Sequence, residues 1–212
     1  MYFPEKGTIS MVEQERMDKF YQFMRVIMER INAHFENQKE YIHCKEGCSF
    51  CCEKGEYPCS ELEFEFLKIG FMTLDRETQQ KIVDETIRLK EEKAKFTGKM
   101  FMHKCPFLID HKCSVYPYRM IICRTFGLSY YDKDEYTQKN TLKVPFCIEQ
   151  GLNYSEVYDQ ENKTFSTELF KKTGYKQEPL TYNLGVEFLV KEFGQKIMKL
   201  DFGEFKRLLD WL

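Results

Sequence analysis

The sequence is poor in features that announce a location or a familiar catalyst. No stretch approaches the roughly 18 uninterrupted apolar residues of a membrane span, and the opening residues, MYFPEKGTISMVEQER, hold no apolar core of a secretory signal. The expected compartment is therefore the cytoplasm, with no membrane partner. No charge of one sign dominates, because 32 Lys and Arg stand against 34 Asp and Glu for a formal charge of -2. Without an overall positive field, nucleic acid is not an expected partner either. There is no phosphate-binding loop, and no spacing unites Ser, His and carboxylates into a catalytic set. No repeat, low-complexity stretch or clear linker divides the 212 residues, so the expectation is a single domain over 1–212. Asn153-Tyr-Ser155 and Asn162-Lys-Thr164 match the glycosylation pattern, which is common by chance and carries no meaning without secretion.

What is present is enough apolar residue for a genuine core, 42% of the chain, and nine cysteines. Phe20, Met24, Ile27, Ile31 and Phe35 recur at spacings of four, three, four and four, which predicts a long amphipathic helix from Ser10 to about Gln38. Ser60 followed by Glu63 forms a capping-box pattern ahead of Leu62, Phe66 and Ile69, predicting a second helix that ends at Gly70. Asp75 caps a third, with Ile82, Val83, Ile87 and Leu89 on its apolar side and the charged run Lys90 to Lys95 as a solvated end. Residues 97–115 lack a helical period and read as loop with a short extended piece. Pro117 suits the first turn of a helix carrying Arg119, Ile122, Cys123 and Phe126. Gly127 to Val144 predicts one small β-hairpin around Asp132-Lys-Asp134. After Pro179 the helical spacing of Leu184, Phe188, Ile197 and Leu200 predicts a terminal helix, continued by Phe205, Leu208 and Leu209. The fold class expected is mainly α, with helices packed around a loop-rich cysteine metal centre at about 44–147.

In a reducing compartment nine clustered cysteines read as metal ligands or redox groups rather than a disulfide frame. CKEGCSFCC places Cys44, Cys48, Cys51 and Cys52 within one turn-rich segment, and Cys59 follows seven residues later. Thiolates two or three residues apart converge on one soft cation, because the turn between them aims the side chains inward and exposes backbone N–H groups to the sulfurs. The adjacent Cys51 and Cys52 complicate that geometry, since neighbouring side chains point apart. Cys105, Cys113, Cys123 and Cys147 are separated by long intervals, so only folding brings them to the first group, and metal binding and folding should be coupled. Against this, a free cysteine is often a small buried hydrophobe, and Cys59 or Cys147 taken alone fits that description equally well. His43, His103 and His111 lie near cysteines but read as ordinary loop histidines or as donors behind the ligands. Arg119 and Arg124 flank Cys123 and are candidates to offset the negative charge of a thiolate site.

The order CKEGCSFCC, an acidic helix start, CPFL, CSVY leading into Arg119, and CRTF resembles the YkgJ-like CxxCxxCC family of zinc- or iron-chelating proteins. The resemblance covers about Cys44 to Cys147. It implies ligand roles for Cys44, Cys48, Cys51, Cys52, Cys105, Cys113 and Cys123, with Cys147 as a later cysteine. Two departures are visible: three residues fill the first interval where the family's has two, and Met120 stands where many members have proline. The resemblance implies chelation of zinc or of an iron–sulfur cluster, a four-iron cluster if iron, without a settled reaction.

Two rival functions share these residues. Some flagellin lysine N-methylases contain a similar cysteine region, which makes an iron–sulfur enzyme using S-adenosylmethionine one alternative. Cys44-x3-Cys48-x2-Cys51 also satisfies the CxxxCxxC spacing of radical S-adenosylmethionine enzymes, but acidic helices follow instead of alternating strands, and no Gly-Gly-Glu motif is present. The other alternative is a zinc-organised module that binds an unidentified protein partner.

Overall fold

The computed structural model describes residues 11–45, 47–133 and 139–212. Among them the fold is mainly α, about half helical, and its strands form short two-stranded antiparallel pairs. No helix among the described residues is long and apolar enough to cross a membrane. The chain gathers into two compact units. The first takes in the chain up to Tyr21, Gly47–Arg124 and Leu200–Leu212, and the second Gln22–Glu46 and Thr125–Lys199.

Helix α1 (Met11–Asn37) follows the expected periodicity. Phe20, Met24, Ile27 and Ile31 are buried, Phe35 is half-buried, and Phe23 joins the buried side. In the first unit Phe20 meets Phe66 and Phe202 edge-on, with ring centroids 5.4 and 6.2 Å apart. A four-residue helix α2 (Phe50–Glu53) leads to strand β1 (Pro58–Ser60) and then to α3 (Glu61–Met72). The capping box at the start of α3 is complete: the Glu63 amide donates to Ser60 Oγ at 3.2 Å, and Ser60 N donates to Glu63 Oε2 at 3.1 Å. Phe64, Leu67 and Phe71 are buried along with the expected Leu62 and Phe66, whereas Ile69 is exposed. Gly70 does not end α3. It is a notch, because a Cβ there would stand 2.6 Å from the Tyr118 ring.

Helix α4 (Arg76–Lys95) is capped by Asp75, which accepts from the Thr78 amide at 2.9 Å. Its buried stripe is Ile82, Thr86 and Leu89, and Ile87 faces solvent. Thr86 is satisfied by donating its hydroxyl to the Ile82 carbonyl at 2.8 Å. The stretch read as loop holds a minimal hairpin, β2 (Leu108–Ile109) and β3 (Lys112–Cys113). The helix expected from Pro117 is interrupted: Tyr116–Tyr118 form a 3-10 turn, Arg119 is extended, and α5 spans only Ile121–Thr125. Arg124 explains the break. Its guanidinium donates to the carbonyls of Arg119 at 2.9 Å and Pro117 at 2.6 Å, the acceptors a continuous helix would have used.

The tail also departs from expectation. Phe205 lies in strand β8 (Phe205–Arg207), which pairs with β1, Cys59 opposite Lys206. The unpaired edge of β1 offers ladder bonds that a continued helix would leave unmade. A last turn, α7 (Leu208–Trp211), stacks Trp211 on Phe64 with centroids 5.4 Å apart, and its indole N–H donates to the Cys59 carbonyl at 2.8 Å.

In the second unit β4 (Tyr130–Lys133) and β5 (Asn140–Lys143) form the expected hairpin. Asp132 pairs with Thr141 inside the ladder instead of forming the turn, and Asp134 lies outside the described residues. A second hairpin, β6 (Tyr158–Asp159) with β7 (Thr164–Phe165), precedes helix α6 (Thr167–Thr173). Tyr41, Ile148, Tyr154 and Val157 form a buried cluster, with the Tyr41 and Tyr154 rings stacked at 5.4 Å. The helix expected near the terminus is a π-helical segment, Glu187–Ile197, which excludes Leu184 and Leu200 and leaves Ile197 exposed.

Candidate metal centre

Five thiols of the first unit, carried by separate pieces of chain, lie near enough to influence one another's charge. Cys51 and Cys52 sit on α2, and their sulfurs are 3.9 Å apart. The Cys52 carbonyl accepts from the Cys105 amide at 2.8 Å, while Gly55 and His103 exchange backbone bonds of 2.9 and 3.1 Å. These three bonds hold the residues after α2 beside 103–105. Cys113 ends β3, and Cys123 lies on α5. The first amide of α5, that of Ile121, donates to Glu63 Oε1 at 2.9 Å. One buried carboxylate thus caps α3 and fixes the start of the helix that carries Cys123.

The thiols act on one another electrostatically. Burial pushes Cys123 well above the ordinary thiol range, and the neighbouring Cys105, Cys113 and Cys51 push the same way. Burial raises Cys105 to about 12, opposed by the backbone N–H groups of Phe107 and Leu108. Burial raises Cys113 as well, opposed by the Val115 amide and by the positive charges of Arg119 and Arg124. Amides two and three residues beyond a cysteine favour its thiolate, the arrangement expected of a sulfur ligand. Cys51 and Cys52 behave as a pair sharing one proton. The hydrogen bond from Cys52 lowers Cys51 to about 7, helped by Arg119, and the same bond raises Cys52.

The cations are close by. Arg119 lies over the Tyr116 ring, 3.8 Å from its centroid, and its buried Nε makes no hydrogen bond among the described residues. Burial and the charge of Arg119 lower Arg124 to about 10. Four thiolates on a divalent ion, or on a four-iron cluster, would leave negative charge that these guanidinium groups could offset. The donor chemistry thus fits a soft metal, and the unpaired Arg119 N–H fits an anionic centre. Among the described residues, no group of three or more His, Cys, Asp or Glu is arranged to hold an ion. For these thiols to serve together as ligands, their side chains would have to rotate and lose their protons.

Cys48 is exposed in the loop before α2. Cys44 and Cys147 belong to the second unit, Cys147 buried in a 3-10 turn over Phe146–Gln150 and Cys44 exposed. Cys44 nevertheless has a prepared neighbour. Asn153, fully buried, donates through Nδ2 to the Cys44 sulfur at 3.3 Å and to the Gly127 carbonyl at 2.9 Å, and accepts from the His43 amide at 2.7 Å. Gly127 has φ +109°, and a Cβ there would stand 3.2 Å from that sulfur. Cys59 is a buried core residue whose S–H donates to the Ser60 carbonyl at 3.4 Å. His103 has its Nδ1 2.7 Å from the Lys104 carbonyl, and His111 Nδ1 is 3.2 Å from Ser49 Oγ.

Sequence reasoning missed two residues. Tyr57 donates its hydroxyl to the Cys51 carbonyl, and burial followed by the charges of Cys52, Cys123, Cys105 and Cys51 raises its phenol. Nothing in the local sequence distinguishes it from a core tyrosine. Asn153 was visible only as part of a glycosylation pattern, and its role beside Cys44 depends on contacts more than 100 residues apart. The chain matches no family model, no curated protein and no solved structure.

Proposed function

We propose that this chain is a metal-binding protein in which clustered cysteines coordinate zinc or an iron–sulfur cluster, in the manner of the YkgJ-like proteins it resembles. One observation carries the reading: Cys51, Cys52, Cys105, Cys113 and Cys123, from four chain segments, lie near enough to act on one another's charge, with Arg119 and Arg124 acting on the same thiols. Disulfide chemistry accounts poorly for it, because vicinal sulfurs are a strained pair and the other three thiols lie on different segments. Ordinary core packing accounts for Cys59 but not for guanidinium charge placed against Cys51, Cys113 and Cys123. In this reading Cys51 is the thiolate most readily formed, the amides after Cys105 and Cys113 hold their sulfurs toward the site, and Arg119 and Arg124 supply compensating charge. A bound metal would supply cross-linking of the four segments and, if iron, electron transfer.

The test is elemental analysis with an absorption spectrum on protein purified without oxygen. Stoichiometric zinc in colourless protein, or iron with matching sulfide and broad visible absorption, supports the reading and chooses between the metals. Absence of both from protein prepared under either metal supply sinks it.

A further inference from the structure

The second unit contains a cavity of about 460 Å³ that the cysteine centre does not use. It lies between the α1 face bearing Arg30 and His34, Tyr131 of β4, Tyr182, and the π-helical residues Phe188 and Phe193. The volume falls within the range of small-molecule sites. Its walls are rich in rings, and among the lining residues Arg30 is the single group of permanent charge. Burial and the neighbouring Arg30 lower the His34 imidazole, which favours its neutral form, and the ring lies stacked on Tyr182 with centroids 3.6 Å apart. The Arg30 guanidinium sits 5.6 Å from the Phe193 ring centroid, is exposed, and pairs as an ion with none of the described side chains.

The unusual helix explains how the aromatic wall is assembled. In an α-helix five residues rotate the chain to about 140° off the starting face, which would turn Phe188 away from Phe193. With i→i+5 bonding, five residues make roughly one turn, and both rings line the same cavity. Such winding is rare and recurs at functional sites.

From this geometry we infer that the second unit binds a small organic anion with a flat aromatic body, its carboxylate paired with Arg30 and its ring laid against Phe188, Phe193 and Tyr182. The ring walls supply burial of apolar area, and the guanidinium selects carboxylates through a charge-assisted bond. This inference does not rest on the metal reading, since none of the residues lining the cavity is a cysteine.

The test uses the full-length protein and 2-naphthoate as probe, with neutral 2-naphthylmethanol as its uncharged counterpart, followed by titration calorimetry. Saturable binding of naphthoate is expected, weaker by about tenfold or more for the alcohol and for naphthoate with Arg30→Gln, the loss of one charged hydrogen bond. Arg30→Lys should recover part of the affinity, and Arg30→Gln should leave binding of the alcohol unchanged. Phe193→Ala should weaken both probes. The inference is overturned if wild-type protein shows no saturable binding at millimolar naphthoate, or if Arg30→Gln binds it as well as wild type does.

Discussion

Replacing Glu63 with Ala tests how the cysteine centre is supported. The carboxylate accepts from Ser60 N at 3.1 Å, from Ser60 Oγ at 2.6 Å and from Ile121 N at 2.9 Å, all in the interior. Alanine removes the acceptor for all three. The hydroxyl of Ser60 can turn elsewhere, but two backbone N–H groups lose their partner, and each buried orphan costs about 1–3 kcal/mol. Relief from burying an acid whose protonation is favoured returns some of this. A net loss of about 2–4 kcal/mol is expected, a large share of the roughly 5–15 kcal/mol of a typical domain. Glu63→Gln keeps the volume and one acceptor oxygen, so about half that loss is expected. Urea unfolding followed by fluorescence reads the effect, because Trp211 is the only tryptophan and lies in the same unit. Since Glu63 fixes the start of α5, metal retained by Glu63→Ala should fall in parallel. An alanine variant that unfolds within about 0.5 kcal/mol of wild type, the range of unremarkable surface changes, would refute the assignment of Glu63 as the clasp between α3 and α5.

Further outcomes follow from the same geometry. Burial raises the Glu63 carboxyl above its unfolded value, so its contribution to stability is fully present below the unfolded value and is lost as pH rises through the folded one. The stability difference between wild type and Glu63→Gln should therefore shrink from acid toward neutral pH, and parallel urea midpoints across that interval would contradict the raised carboxyl. Cys51→Ser should lower metal content by elemental analysis more than Cys59→Ser, because Cys59 is fully buried with its S–H on the Ser60 carbonyl. Equal retention in the two variants removes Cys51 from the ligand set. Gly70→Ala would put a methyl group 2.6 Å from the Tyr118 ring, and overpacking of this kind costs about 1–3 kcal/mol in a thermal or urea unfolding measurement. Unchanged stability would mean that the 116–118 turn moves aside freely.

The parts of the fold legible in the sequence were those decided by neighbours along the chain. The α1 stripe, the Ser60–Glu63 box and the Asp75 cap all depend on residues three or four apart, and all appear as expected. The failures lie where a distant group competes. Phe205 has helical spacing, but β1 offers its edge from more than 140 residues away. The Pro117 helix breaks because Arg124 takes the carbonyls of Pro117 and Arg119. Gly70 carries a stop signal by composition, yet its role is to admit Tyr118. The π-helical winding of Glu187–Ile197 has no sequence signature among periodic apolar positions.

The same division runs through the cysteines, and charge explains which of them belong together. Spacing alone selects Cys44, Cys48 and Cys51; within the first unit Cys51, Cys52, Cys105, Cys113 and Cys123 act on one another's charge, and Cys48 is exposed in its loop. Burying several thiolates together without a cation is strongly unfavourable, and burial accordingly holds Cys105, Cys113 and Cys123 as thiols. Among these five thiols Cys51 alone is drawn down, to about 7, because its neighbour donates to it and Arg119 adds positive charge. In the proposed metal-bound form, a soft cation held by Cys51 would offset the charge of the remaining sulfurs, since each proton they lost would be replaced by attraction to the ion. On that proposal Cys51 of α2 would be the sulfur that most readily gives up its proton to the ion, and Cys113 of β3 and Cys123 of α5 would lose theirs only against its charge.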